Sequence, residues 1–163
     1  MRSSRGVTLV SIVVGVVIMM LISSVAVKVG TDAYSLAKEK NFIAKMKVIQ
    51  SRVDQIAEKE DYIEKYADYK LNYQDSDITI MIINPNDYNI DTTNSWDETE
   101  DANIDNYYKF TATQLQNVLE IPNQDIDVLI NFKTRNVIAI NGVKHEGKKY
   151  YRQYDLSGGE KLY

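Results

Sequence analysis

The chain has 163 residues, room for one domain plus a membrane segment, with 19 Lys+Arg against 23 Asp+Glu and a formal net charge of −4. That balance argues against bulk binding to nucleic acid, because phosphate repels an acidic surface. Cysteine is absent, so no disulfide staples the outer part, and twelve tyrosines against three phenylalanines suit a thin, partly exposed sheet whose rings keep one wet edge.

Arg2 and Arg5 precede Gly6, and Val7 to Val27 is an uncharged run that ends at Lys28. A helix needs roughly 20 apolar residues to cross the hydrocarbon core, and this run meets that. The arginines place the N-terminus in the cytoplasm and the C-terminal bulk outside. By itself the run fits a plain signal anchor. It also fits an ordinary secretory signal cut after Ala26, where Ser24-Val25-Ala26 offers small residues at the two positions that matter. Both describe an anchored or secreted extracellular binding domain.

Beyond Lys28 the pattern becomes periodic. Phe42, Met46, Ile49, Val53 and Ile56 recur at three- and four-residue spacing, with Lys45, Lys47, Gln50, Arg52, Asp54, Gln55 and Glu58 between them. This predicts an amphipathic helix with one apolar stripe, begun by Leu36, Ala37 and Ile43. No proline interrupts Val7 to Lys59, so one helix of about 75–80 Å is expected at 1.5 Å per residue. Gly15 and Gly30 are its candidate bending points.

Tyr62, Tyr66, Tyr69 and Tyr73 are helically spaced, which fits a last helical turn or a loop over the core. Asp77 to Ile83 reads as a strand with Ile78, Ile80 and Ile82 on one face, ended by Asn84-Pro85-Asn86-Asp87. From there to Asn106 the chain is polar, with an acidic run Asp97-Glu98-Thr99-Glu100-Asp101, and a long surface loop is expected. Thr113 to Leu119 predicts a short helix with Leu115, Val118 and Leu119 inward. Ile126, Val128, Ile130 and Phe132 alternate as a strand. After the turn Thr134-Arg135-Asn136, Val137 to Val143 returns, and Glu146-Gly147-Lys148 turns into Tyr150-Tyr151-Arg152, an antiparallel meander. Ser157-Gly158-Gly159 begins a loose tail.

Arg5-Gly6-Val7-Thr8-Leu9-Val10 resembles the cleavage site of type IV pilins and type II secretion pseudopilins. The resemblance implies that a membrane aspartyl peptidase cuts the Gly6–Val7 bond and methylates the new amine of Val7. The apolar helix then stays on the mature protein, with Leu9, Val10, Ser11 and Val14 in its assembly segment. Cleavage would take 19 basic residues to 17 against 23 acidic ones, or −6. The family usually has glutamate at the fifth mature position, where this chain has Ser11. A buried carboxylate–ammonium pair is favourable only with both partners present. The departure therefore implies a minor subunit, especially one at a filament tip; alternatively, serine is tolerated by bonding back to a helix carbonyl.

Tyr107 to Tyr151 resembles the globular halves of pilin-like proteins from Gram-positive bacteria. The matching elements are the Tyr107-Tyr108 pair, Leu119-Glu120-Ile121-Pro122, Val128-Leu129-Ile130-Asn131-Phe132 and Gly147-Lys148-Lys149-Tyr150-Tyr151. The implied fold is α+β and pilin-like, a long N-terminal helix packed on a small antiparallel sheet. The implied organisation is a leader at 1–6, a transmembrane helix half at 7–28, an amphipathic half at 29–60 and a globular head at 61–163. The implied role is structural, with no reaction and no cofactor. Implied partners are other pilin subunits, the prepilin peptidase, an assembly platform and its ATPase, and the membrane.

Candidate chemistry is sparse. His145, the one histidine, lies among Lys144, Glu146 and Lys148, and reads as a solvated turn residue; without cysteine it builds no ordinary zinc site. Asp87, Asn89, Asp91 and Glu98 match the first, third, fifth and twelfth positions of a calcium loop, but Thr92 replaces its glycine. The competing reading is a loop whose Asn and Asp side chains cap their own backbone. Lys144, Lys148, Lys149 and Arg152 beside Tyr150 and Tyr151 have a composition that can stack single-stranded nucleic acid, though a solvated basic ribbon edge is the commoner meaning.

Overall fold

The computed structural model describes the backbone of residues 5–59 and 61–156, and the side chains of residues 14, 16–20, 33–59 and 61–156. The uninterrupted N-terminal pattern forms one helix, α1, Arg5–Ala57. Among the described residues four short α-helices follow, α2 (Tyr62–Lys65), α3 (Ser76–Ile83), α4 (Ala112–Asn117) and α5 (Gln153–Leu156). The strands are β1 (Tyr107–Phe110), β2 (Val128–Asn131), β3 (Asn136–Ala139), β4 (Val143–His145) and β5 (Lys148–Tyr150). The class is α+β. Two compact units divide the chain, 1–38 and 39–163.

Among the described residues no helix is long and apolar enough to cross a membrane. Most side chains of the expected transmembrane half, 7–28, lie outside the described residues, as does the tail from Ser157, while Gly15 and Gly30 lie on the described backbone of α1. Within that half, Val14, Val16, Val17 and Ile18 are about half exposed, and Met19 and Met20 more so.

In the second unit the stripe behaves as its spacing requires. Phe42, Met46, Ile49, Val53 and Ile56 are all buried, packed with Tyr108, Phe110, Val128, Ile130, Phe132, Val137 and Ala139. Leu36, expected to begin the stripe, is instead exposed, as is Ala37, while Ile43 is half buried. Tyr62 and Tyr66 close the top of this core against Phe132, with ring centroids 5.0 and 5.6 Å apart, and Tyr69 stacks on Phe110 at 5.0 Å. Tyr73 does not join them and is exposed.

β1, β2 and β3 form an antiparallel sheet in that order, with Tyr107 opposite Asn131 and Asn131 opposite Asn136. Every residue of β2 and β3 is buried. Both faces are therefore covered, which the unbroken apolar run Val128-Leu129-Ile130 anticipates. The face away from α1 carries Tyr107, Leu129 and Ile138 and packs with Leu71, Met81, Ile82, Ile90, Ile104 and Tyr151. Tyr151 follows the outer edge, where its carbonyl accepts from Ala139 N at 2.8 Å.

Three expectations change. Asp77 to Ile83 is helical: α3 buries Thr79, Met81 and Ile82, while Ile80 and Ile83 are exposed. Its start is set by Asp75, whose carbonyl accepts from Ile78 N, Thr79 N and Thr79 Oγ1. Isoleucine alternation alone did not separate the two periods in so short a run. The expected single meander is two sheets, with β1 added to the first and β4–β5 a separate hairpin. Gly142, at φ +55, makes the break; a Cβ there would meet Tyr150 O at 2.5 Å. The expected surface loop 84–106 buries Ile90, Asp101 and Ile104.

α4 matches its prediction closely. Thr111 and Gln114 form a reciprocal capping box, and Leu115 and Leu119 are fully buried. Arg52 ties the end of this segment to α1, donating to Leu119 O at 2.9 Å and pairing with Glu120 at 2.9 Å.

Candidate functional site

Among the processing and assembly residues expected from the sequence, Gly6, Val7, Leu9, Val10 and Ser11 lie on the described backbone of α1, and their side chains are outside the described residues. Val14 is described and half exposed. In the globular part, the features that could serve function are a buried polar knot, the cleft beside it and the basic hairpin β4–β5.

The knot forms where loop 91–101 crosses the free end of the β2–β3 hairpin. Arg152 is fully buried. Its guanidinium donates to the carbonyls of Asp91, Asn94 (3.1 Å) and Ser95 (3.4 Å), to Asn136 Oδ1 at 3.2 Å and to Asp155 Oδ1 at 2.8 Å. Trp96 covers it at 5.5 Å from the ring centre, a cation–π contact. Asp155 also accepts from Asp91 N at 3.1 Å. Burial raises the Asp155 carboxyl above its ordinary 3.8 and outweighs the opposing pull of Arg152. A planar five-donor group suits this place, since three loop carbonyls point at it at once.

The second half of the knot surrounds Asp101, also fully buried. Its Oδ1 accepts from Tyr107 Oη (3.2 Å), Asn131 Nδ2 (3.0 Å) and Thr134 Oγ1, and its Oδ2 from Asn136 Nδ2 (2.8 Å) and Asp97 N (2.9 Å). Burial first, and the Asp101 charge second, hold the Tyr107 phenol well above its ordinary 10.0. Asn136 touches both Arg152 and Asp101, so a buried cation and anion communicate through one amide. An open cleft of about 510 Å³ lies alongside, lined by Ser95, Trp96, Asp97, Glu100, Asp101, Lys133 and Thr134. Lys133 and Glu100 pair across its mouth at 2.6 Å.

Calcium ligation is not supported. Among the described residues no group of three or more His, Cys, Asp or Glu side chains is placed to hold a metal ion. Asp87 sits in a 3₁₀ turn, Pro85–Tyr88, and Asn89 takes the left-handed conformation that ends it. Asp91 is spent on its own loop, accepting from Thr93 N at 2.9 Å and Asn94 Nδ2 at 2.7 Å. The Thr93 hydroxyl leads in lowering its carboxyl below 3.8. Glu98 is exposed. The self-capping reading of this loop holds.

The basic ribbon is smaller than expected. Arg152 belongs to the knot, not to a solvated edge. Lys144, Lys148 and Lys149 remain on β4–β5, whose turn uses Glu146 (φ 46) and Gly147 (φ 81), the primed geometry that suits a two-residue hairpin. Lys149 lies over the Tyr151 ring at 5.4 Å. His145 is not a free turn residue: it is in β4, with Nδ1 2.7 Å from Glu39 Oε2. Glu39 is largely buried, and its Oε2 has no well-aligned hydrogen bond among the described residues. The hairpin thus meets α1 at Glu39.

No protein-family model, no curated protein and no solved structure matches the chain. Sequence reasoning missed the knot entirely. Its one advance signal was the placement of Asn131 and Asn136 at the ends of otherwise apolar strands, where buried amides need partners.

Proposed function

We propose that the chain is a structural subunit, and a minor one, of a type IV pilus or related filament. It is matured by prepilin peptidase between Gly6 and Val7, held in the cytoplasmic membrane in a single pass with its C-terminus outside, then drawn into a surface filament through its N-terminal helix. It performs no reaction of its own. Its partners are other pilin subunits, the peptidase, the assembly platform and its ATPase.

One observation carries the reading: the junction Arg5-Gly6-Val7-Thr8-Leu9-Val10 opens a helix that continues without a break to Ala57. Two others support it. The half-exposed Val14, Val16, Val17 and Ile18, with Met19 and Met20, make an apolar surface around the helix that needs lipid or other helices as cover. The later stripe of the same helix packs on a small antiparallel sheet. Ser11 in place of the family's glutamate favours the minor role.

Sequencing the N-terminus of the exported protein and weighing it intact tests this. A start at Val7 with the mass of one added methyl group is expected. A start at Val27 would establish an ordinary secretory signal, and an intact Met1 a plain anchor; either result overturns the proposal.

A further inference from the structure

Between the three-stranded sheet and the β4–β5 hairpin the chain has no slack. Ala139 N donates to Tyr151 O at 2.8 Å and Ile140 N to Asp127 O at 2.9 Å, which pins the end of β3. Val143, opposite Tyr150, begins the hairpin. Asn141 and Gly142 alone join these two fixed ends. Gly142 stands at φ +55, and a Cβ there would meet Tyr150 O at 2.5 Å and the Tyr151 ring at 3.1 Å. Asn141 is exposed, and among the described residues its side-chain amide has no hydrogen-bond partner. The other asparagine that precedes a small residue, in Asn94-Ser95, is held: its Nδ2 donates to Asp91 Oδ2 at 2.7 Å and its carbonyl accepts from the Arg152 guanidinium at 3.1 Å.

We propose that Asn141 is a site of spontaneous modification that loosens the hairpin. The backbone nitrogen of Gly142 attacks Asn141 Cγ, and the side-chain amide leaves as ammonia. The nitrogen gives up its proton and the departing group takes one, so the step needs no oxidant or reductant. A succinimide ring remains, and water opens it. Breaking the new bond leaves aspartate. Breaking the original peptide bond leaves isoaspartate, whose backbone runs through Cβ and Cγ and is one methylene longer. Glycine favours the attack, because no side chain crowds its nitrogen and its backbone turns freely. Both products put a carboxylate at the junction, and isoaspartate also lengthens it. Gly142 already lies against Tyr150, so a longer link displaces the hairpin instead of being absorbed. Asn94 escapes because its amide and its carbonyl are both held in the Arg152 knot.

The test ages the purified full chain for days in mildly alkaline buffer, folded and in parallel unfolded in guanidinium chloride. Proteolytic peptides are then weighed and assayed for isoaspartate. In the folded chain the peptide bearing residue 141 should gain the mass difference between an amide and an acid several-fold faster than any other, with isoaspartate among its products. The peptide bearing residue 94 should react only in the unfolded chain. Asn141→Gln should abolish the fast change. Hydrogen exchange in residues 143–150 should rise in the aged parent and stay at the fresh level in aged Asn141→Gln. Fresh Asn141→Asp, which carries the charge on a backbone of normal length, should keep the unaged exchange. Reaction at residue 141 only in denaturant, or first at another asparagine, overturns the site. Unchanged exchange in a chain that carries isoaspartate, or a full rise in fresh Asn141→Asp, overturns the loosening by a longer link.

Discussion

The β1–β3 sheet is covered on both faces, and the two covers are built on different principles. Toward α1 the contact is apolar throughout, with Phe42, Met46, Ile49, Val53 and Ile56 meeting Tyr108, Phe110, Ile130, Phe132 and Val137. On the opposite face an apolar patch of Leu71, Met81, Ile82, Ile90 and Ile104 is joined to a polar knot in which Arg152 and Asp101 are fully buried. The first cover needs the right spacing and volume. The second needs particular groups from four distant segments to arrive together, because a buried charge without its partners is costly. The α1 face should therefore tolerate conservative change, and the knot should not.

Arg152→Ala is the largest test of that difference. Removing the cation leaves Asp155 and three loop carbonyls buried without their donor, and a loss of about 3–5 kcal/mol is expected in denaturant unfolding. Hydrogen exchange should rise first in residues 91–101 while the Ile49 and Val53 region of α1 stays protected. Arg152→Met combined with Asp155→Leu should recover much of the loss, since an apolar pair of similar volume removes the uncompensated charge. No recovery would mean that the loop carbonyls, and not the ion pair, set the cost.

Next in size is Ile49→Ala, in the middle of the apolar cover. A cavity there should cost about 3 kcal/mol, spread over the whole unit, with no preferential opening of loop 91–101. Ile49→Val should cost no more than about 1.5 kcal/mol. If the alanine variant opened the loop first, the two faces would not be separable.

A smaller effect sharpens the electrostatics of the knot. Tyr107 has its phenol held well above its ordinary 10.0. Its contribution is complete below pH 10 and is lost as pH rises toward the folded value, because the unfolded chain releases that proton first. Tyr107→Phe should cost about 1 kcal/mol at neutral pH through the lost bond to Asp101. It should also flatten the fall in stability above pH 10, measured by denaturant midpoint against pH. An unchanged slope would place the alkaline loss in other tyrosines, of which Tyr108 and Tyr151 are also raised.

Least affected should be Lys133→Met. Its pair with Glu100 bridges the cleft mouth with the lysine side chain more than half exposed, so solvent and salt screen it. A change under about 1 kcal/mol is expected, vanishing at high salt. A larger value would tie Lys133 to the knot beneath it.

Local pattern carried much of this molecule. The α1 stripe and the turn at Glu146-Gly147-Lys148 follow from periodicity and turn residues, whereas Gly142 breaks a strand that the residue pattern carries through Val143. α3 marks the limit of that reading. Isoleucines at 78, 80 and 82 alternate like a strand, but only the buried set Thr79, Met81 and Ile82 decides the helix, and burial depends on what lies opposite. The same holds for Arg152, whose neighbours in the chain are tyrosines and a hairpin of lysines, and whose neighbours in space are Asp91, Asn94, Ser95, Asn136 and Asp155.

By itself, then, the amino-acid order determined the helix, its apolar face, the basic junction before Val7 and most of the strands, since these depend on contacts a few residues apart or on composition over one segment. Tertiary structure alone decided that the sheet is covered twice, that the acidic loop closes around a buried arginine, and that the lone histidine lies against Glu39 of α1. Each of those requires groups tens of residues apart to meet. The free energy of such a meeting lies in desolvation and geometry, which chain order does not display.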